Sequence, residues 1–332
     1  MASDCLHKDA SPTDTIARIH AILDSIGLPR ENLVISWKKA WDCCHSCHIY
    51  FRNYPLLTAN GKGLTQELTY ASALAEYVER LQCLMERLFT RAGDIHRLPP
   101  FFSSAERTVA EIRGDAPALF EHDLRSLPDS TERFPCVPFV DVFNRRVVDL
   151  PFELLLMTTG TNGMASGNTP AEALCHAICE IFERHVLRGI AEGTLPGLPT
   201  IPLERVAVRE PLIRGLLDDI SAAGIEILVK DGSLGGQLPV LAVVLTDRKA
   251  GTCAVSFGSD PVFEVALSRC LTEALQGVDH VSRPITAGPT KEGPTDMCNN
   301  PDVLVSRLTA DLLLCSEFRY VLSLIPFSSH KL

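Results

Sequence analysis

Two segments of this chain each place two glutamates and an arginine close together on a helix that is otherwise largely apolar. In NGKGLTQELTYASALAEYVERL they are Glu76, Glu79 and Arg80; in TNGMASGNTPAEALCHAICEIFERHV they are Glu180, Glu183 and Arg184. A weaker third copy, GSDPVFEVALSRCLTEALQG, keeps Glu273 and Gln276. Each copy follows a glycine-containing loop. Carboxylates are costly to bury unless a cation or hydrogen-bond donors meet them, so this pattern limits how such helices can pack. At about 100° per residue, Glu76 and Glu79 lie roughly 60° apart, with Ser72 between them one turn earlier and Leu74, Val78 and Leu81 opposite. In the second helix Glu172, His176, Glu180 and Glu183 fall within about 80°, with Leu174, Ile178 and Phe182 opposite. The third helix puts Arg269, Glu273 and Gln276 in corresponding places. Ser72, His176 and Arg269 are thus positional equivalents, as are Glu76, Glu180 and Glu273.

A solvated face is the ordinary explanation for glutamate and arginine at i and i+4. Three features argue against it here. The acidic faces are narrow, the first two carry no lysine, and the arrangement recurs. If the helices converge, four or five carboxylates share one cleft, and like charges about 4 Å apart cost roughly 1 to 4 kcal/mol per pair. Such a cluster calls for divalent cations, and hard carboxylate oxygens favour Mg²⁺. Carboxylate-held Mg²⁺ commonly also binds substrate phosphates. The loops at Asn60 and Asn162 lead into helices whose N-terminal N–H groups could meet those phosphates. No P-loop is present: Gly61-Lys62-Gly63 is too short, and Gly163 with Gly167 is a lone glycine pair. The residues alone therefore reach a Mg²⁺-dependent binder of a phosphorylated ligand, with ATP as a candidate.

The net charge of −10 over 332 residues argues against nucleic acid as the main partner. A 46% hydrophobic composition supports a substantial core. No apolar run reaches the roughly 18 residues of a spanning helix, and the N-terminus lacks the apolar stretch of a signal peptide, so a cytoplasmic protein with no membrane partner is expected. The 12 cysteines are then expected to be reduced thiols. Cys83, Cys175, Cys179, Cys253 and Cys270 read as small core residues. Cys44-x-x-Cys47 with His48 has metal-ligand spacing, but no second pair completes a four-ligand site, and a cysteine-rich strand is the preferred reading.

Periodicity and punctuation predict a helix over 13–26 and strands near 33–37 and 48–58. A loop at 60–63 and a long helix over 66–90 follow. The stretch 91–132 reads as loops and short helices. Strands are predicted at 137–143 and 146–150, a loop at 158–170 and a second long helix at 171–191. The stretch 201–224 reads as partly helical, interrupted by Pro202 and Pro211. Strands at 225–230, 240–246 and 252–257 precede the third helix, which ends near Gln276; 303–314 reads as helical. The layout is one α+β domain over 1–332, with antiparallel strand pairs and the helices on one side.

The three acidic segments resemble the ATP-binding motifs of the YcaO family, and DGSLGGQLPVLAVVL resembles the strand region before the third. The resemblance runs in order from about residue 13 to Gly277, leaves 278–332 unassigned, and extends to the subgroup linked to methylthiolation of a small-subunit ribosomal protein. It implies a YcaO-like α+β fold with antiparallel sheets and long helices, and an ATP site whose Mg²⁺ ions are held by glutamates. It also implies a reaction in which ATP activates a peptide amide oxygen that a thiol or sulfide then replaces or cyclises upon, giving azolines or thioamides. By position, Glu76, Glu79, Glu172, Glu180 and Glu183 match the metal-binding acids. Ser72, Asn168 and Arg184 match nucleotide contacts, and Lys62, Arg80 and Gln276 lie in matching motifs, as does Glu273. The implied partners are a peptide or protein substrate, a methylthiotransferase and a second copy in a homodimer. The family pattern fades after Gly277, and neither a Pro-rich tail nor a long helical extension follows, so a C-terminally truncated domain is expected. Two alternatives accompany the enzyme reading: a non-catalytic ATP-binding accessory protein for a methylthiotransferase, and an inactive truncated homologue.

Overall fold

The computed structural model describes residues 8–91, 105–117, 128–141, 144–151, 162–195, 197–206 and 208–276, apart from the side chains at 56 and 83–91. Helix α1 (Pro12–Ser25) opens the chain, with Ser11 accepting the Asp14 N–H and Pro12 in the first turn. Strands β1 (Leu33–Trp41), β2 (Cys44–Phe51) and β3 (Tyr54–Gly63) form an antiparallel sheet in that order. Helix α2 (Gln66–Arg91) follows within three residues.

Two expectations are corrected here. The turn falls at Arg52 and Asn53, and residues 60–63 belong to β3, with Asn60, Gly61 and Lys62 paired to His48, Cys47 and Ser46. Glycine at 61 read as a loop signal, yet it marks a close backbone approach within a strand. A Cβ on Gly61 would stand 2.0 Å from the Thr69 carbonyl oxygen of α2.

The described residues form two compact units, and those between Leu81 and Asn162 make up the smaller. There, β4 (Ala105–Thr108), β5 (Arg133–Asp141) and β6 (Arg146–Leu150) form an antiparallel sheet with β5 central. Helix α3 (Val109–Asp115) starts with a capping box between Thr108 and Glu111. Val109, Ile112, Cys136, Val148 and Leu150 form the core of this unit. Strand β5 begins at Arg133, earlier than the start predicted at 137. Strand β4 pairs only with 133–136 and β6 only with 137–141, so Pro135 and Pro138 each need a partner on one side alone.

The larger unit resumes at Gly163. Helix α4 (Pro170–Ala191) is capped by Thr169, which accepts the Glu172 N–H. The two-residue strand β7 (Thr200–Ile201) leads to α5 (Pro211–Ala222), whose proline sits in the first turn and starts the helix instead of interrupting it. Strands β8 (Glu226–Asp231), β9 (Val240–Asp247) and β10 (Thr252–Ser259) complete an antiparallel sheet in the order β10-β9-β8-β7, and α6 (Phe263–Ala274) follows.

Helices cover both faces of this sheet, which overturns the expectation of helices on one side. Leu241, Val243 and Leu245 of β9 pack with Ile213, Leu216 and Ile220 of α5 and Leu267 and Leu271 of α6. The alternate residues Val240, Ala242 and Val244 pack with Val186, Leu187 and Ile190 of α4. The run VLAVVL has no polar alternation, so both of its faces need cover. Cys179, Cys253 and Cys270 are buried as expected, whereas Cys175 is exposed; the side chain of Cys83 and the stretch 303–314 lie outside the described residues. Among the described residues, no helix is long and apolar enough to cross a membrane.

Gly258 repeats the role of Gly61. A Cβ there would stand 2.6 Å from the Ala266 carbonyl oxygen and 2.9 Å from the Cys270 nitrogen. Both glycines let the strand backbone lie directly against the helix that follows. Gly61→Ala and Gly258→Ala are each expected to lower unfolding free energy by about 1–3 kcal/mol, because well-packed backbone must shift. Gly114→Ala, where a Cβ meets nothing within 4 Å, is expected to leave it unchanged or slightly raised. Denaturant midpoints compared across the three variants check this.

Candidate functional site

The acids of α2 and α4 meet. On α2, Arg80 is held between its own helix and β3: one guanidinium nitrogen lies 2.5 Å from a Glu76 oxygen and the other donates to the Thr58 carbonyl at 2.7 Å. Glu76 also accepts the Asn60 N–H, so the backbone at 60 serves this carboxylate. Burial raises the Glu76 carboxyl despite the pull of Arg80 and Lys62. Glu79 is pushed up to about 7, first by burial and then by Glu180 and Glu76, while Ser166 opposes the shift with its N–H and hydroxyl.

On α4, Glu180 accepts the Gly163 N–H at 3.1 Å and lies 3.5 Å from Arg184. The Glu183 carboxylate lies 3.7 Å from Arg184, with its side chain 12% exposed. Burial raises Glu183 against the pull of Arg184, Arg269 and Lys62. Helix α6 brings Glu273, which forms an ion pair with Lys62. Burial and then the nearby Arg269 bring Lys62 down to about 8.

The sequence pairing of Glu76, Glu79, Glu180 and Glu183 with Lys62, Arg80 and Arg184 is therefore one spatial cluster. Its geometry inverts α4: over its first three turns the acidic side points inward, while Leu174 and Ile178 are 57% and 40% exposed. Ser72 lies half-buried one turn before Glu76. Gln276 lies just past α6, where its N–H donates to the Glu273 carbonyl at 3.2 Å.

Glu172 and Asn168 form a separate group. Glu172 precedes Glu180 by about 12 Å along the helix axis. Its carboxylate lies 3.0 Å from Lys8 and accepts from Asp9 N–H and from Asn168, both at 3.2 Å. Burial alone would raise Glu172, but Lys8, the Asp9 N–H and Asn168 outweigh it and hold the carboxyl below its usual range. Thr15 donates to Asn168 at 2.8 Å, which ties α1 to the same point.

Sequence reasoning gave no role to Lys8, Ser166 or Arg269. The register of Arg269 with Ser72 and His176 was a signal for the last; nothing local marked the other two. Among the described residues, no three metal-ligating side chains close into a cage. The open arrangement suits Mg²⁺, which keeps several waters and takes one or two carboxylates plus phosphate oxygens. The crowding that lifts Glu79 is the specific point of fit, since a divalent cation there would favour its ionised form. Cys44 and Cys47 are both buried on β2, and burial pushes their thiols up to about 12 and about 11.

In the metal-free protein, Glu79 is expected to make stability fall as pH rises. Its folded value of about 7 lies above the ordinary 4.5, so the folded state binds more protons than the unfolded one between them. The penalty starts near pH 4.5 and is complete above pH 7. Glu79→Gln is expected to flatten that part of the profile, measured as melting temperature against pH in the presence of a chelator.

Comparison with known proteins extends this picture. Residues 60–310 match the family model described as YcaO cyclodehydratase, ATP- and Mg²⁺-binding. The chain is 34% identical over 290 residues to the ribosomal protein S12 methylthiotransferase accessory factor YcaO of Escherichia coli, covering 81% of this chain and 49% of that protein. It is 32% identical over 292 residues to an uncharacterized protein of Haemophilus influenzae, covering 82% of this chain and 49% of that protein. The chain thus spans about half the length of these curated relatives. The fold is similar to that of YcaO from Methanopyrus kandleri bound with AMPPCP and Mg²⁺, with a TM-score of 0.56 and 18% identity over 90% of this chain and 74% of that one. It is also similar to a heterocyclase in complex with substrate and cofactor, with a TM-score of 0.58 and 18% identity over 82% of this chain and 40% of that one.

Proposed function

Because this chain belongs to the YcaO family, we propose that it binds ATP with Mg²⁺ at the glutamate cluster and uses it to activate peptide amide bonds. The observation that carries this reading is the carboxyl of Glu79, lifted to about 7 by burial and by Glu180 and Glu76 in a cluster also lined by lysine and arginine. Carboxylates crowded beside cations suit a ligand that brings both metal and phosphate.

In this reading Glu76, Glu79, Glu180 and Glu183 hold Mg²⁺, while Lys62, Arg184 and Arg269 face the phosphates. Arg80 keeps Glu76 in place from β3. Asn168 and Glu172, with Lys8, form a second contact region two turns away on α4, and Ser72 and Gln276 lie at the margins. ATP, when bound, supplies the phosphoryl group that makes an amide oxygen displaceable by a thiol or sulfide. The side chains stabilise charge and set geometry, and no serine or cysteine nucleophile is required. The substrate is a peptide or protein segment, the product an azoline or thioamide, and the working form a homodimer in the cytoplasm.

A second reading is an accessory role beside a methylthiotransferase, favoured by the name of the Escherichia coli relative. Peptides that elicit phosphate release support the enzyme; ATP binding without release across candidate peptides supports the accessory role.

Calorimetry with ATP and Mg²⁺ tests the shared premise. Wild type is expected to bind only with Mg²⁺ present, and its melting temperature to rise on adding both. Glu76→Gln and Glu180→Gln are each expected to weaken binding by roughly tenfold or more, as loss of a charge-assisted contact would. Wild-type protein that binds no ATP with Mg²⁺ would end both readings.

A further inference from the structure

One chain of hydrogen bonds crosses all three acidic helices. Arg269 of α6 approaches His176 of α4, with 2.7 Å between its Nη2 and the ring Nε2. A guanidinium only donates, so Nε2 must be the unprotonated acceptor. The neutral ring then carries its proton on Nδ1, and the Ser166 backbone carbonyl receives a hydrogen bond from the ring. Ser166 in turn donates its N–H and its hydroxyl to Glu79 of α2. From one end to the other the order is Glu79, Ser166, His176, Arg269. Each link pairs a donor with an acceptor, and each joins a different element.

We propose that His176 is a positioning residue, locked in its Nδ1–H tautomer, which fixes the Arg269 guanidinium against the glutamate cluster and couples it through Ser166 to Glu79.

The electrostatics support a ring that stays neutral. Burial, then Arg269, Lys8 and Lys62, hold His176 down to about 3, while the Ser166 carbonyl pulls the other way. An imidazolium would have no lone pair for Arg269 and would place two cations in contact. His176 therefore passes geometry, keeps its single proton on Nδ1 and takes up no second one. The coupling reaches the cluster at both ends, because Arg269 lies close enough to lower Lys62 and to stabilise ionised Glu183. Its functional half rests on the nucleotide reading above: an Arg269 held in this way meets the ligand's phosphates without first having to be ordered.

Two measurements decide the matter. The first uses wild-type protein without nucleotide and reads the ¹⁵N shifts of the His176 ring. A single Nδ1–H tautomer, unchanged between about pH 5 and 8, is expected, against a free histidine that titrates near 6.5. Tautomer averaging or protonation in that window overturns the relay. The second compares His176→Gln with His176→Leu by calorimetry with ATP and Mg²⁺. Glutamine can still donate to Ser166 and accept from Arg269, so binding within about threefold of wild type is expected. Leucine removes both bonds, and roughly tenfold weaker binding is expected. Equal binding by the folded leucine variant and wild type overturns the coupling to the ligand. If the leucine variant does not fold, the tautomer measurement and the glutamine rescue still decide: a glutamine variant that folds but binds tenfold more weakly overturns the proposal. Wild-type protein that shows the locked tautomer but binds no ATP supports the relay and overturns the nucleotide reading instead.

Discussion

Crowded negative charge is the constraint around which the larger unit is organised. Glu76, Glu79, Glu180 and Glu183 come from two helices and reach one place. In an aqueous setting such acids would turn outward. Here α4 is turned over across its first three turns, leaving Leu174 and Ile178 in solvent while its acids face the interior. The further course of α4 behaves conventionally, burying Val186, Leu187 and Ile190 against β9 and β10. One helix thus serves two purposes along its length. Its C-terminal half contributes hydrophobic stabilisation, at about 1.5–3 kcal/mol for each large side chain removed from water. Its N-terminal half gives up such burial for the acidic site.

Two of the three arms are built alike. In each, a strand carries a glycine that admits the backbone of the following helix, at Thr69 beyond Gly61 and at Ala266 beyond Gly258. That contact sets how far the helix has advanced when its glutamate arrives, so Glu76 and Glu273 come off their helices at matching points. The arm on α4 is anchored differently. Gly167 lies in the loop before it, where a Cβ would come within 2.4 Å of the Ala173 nitrogen, and Gly163 donates its N–H to Glu180. The close approach of backbone, which only glycine permits, is common to all three.

Much of this was legible in the chain. Helical spacing located all three acidic helices, because this signal is local. The antiparallel pairing of β8, β9 and β10 followed from three apolar runs and two turns. What failed depended on tertiary context. Gly61 looked like a loop because nothing in its own segment shows that the helix starting at Gln66 packs its backbone onto the strand before it. Pro211 looked like an interruption because nothing nearby distinguishes a first-turn proline from an interior one. Nor did anything local signal the ion pair between Glu172 and Lys8, more than 160 residues earlier in the chain. Ser166 carried no signal, since its importance lies in three donor and acceptor atoms that only the fold aims.

The pairing of charges within the cluster is uneven, and the unevenness is informative. Glu76 has Arg80, Glu180 has Arg184, and Glu273 has Lys62. Glu183 has Arg184 within 3.7 Å and feels Arg269 and Lys62 as well. Glu79 is held instead by the neutral donors of Ser166 while two other glutamates press on it. Burial first, and then those two glutamates, lift this acid to about 7, and hydrogen bonds from a serine oppose the shift less than an adjacent cation would. A structure optimised only for stability would have supplied a basic residue there or removed the acid. Keeping an acid next to its own kind, and steadying it with donors that leave its charge uncompensated, reserves that compensation for a cation arriving from outside.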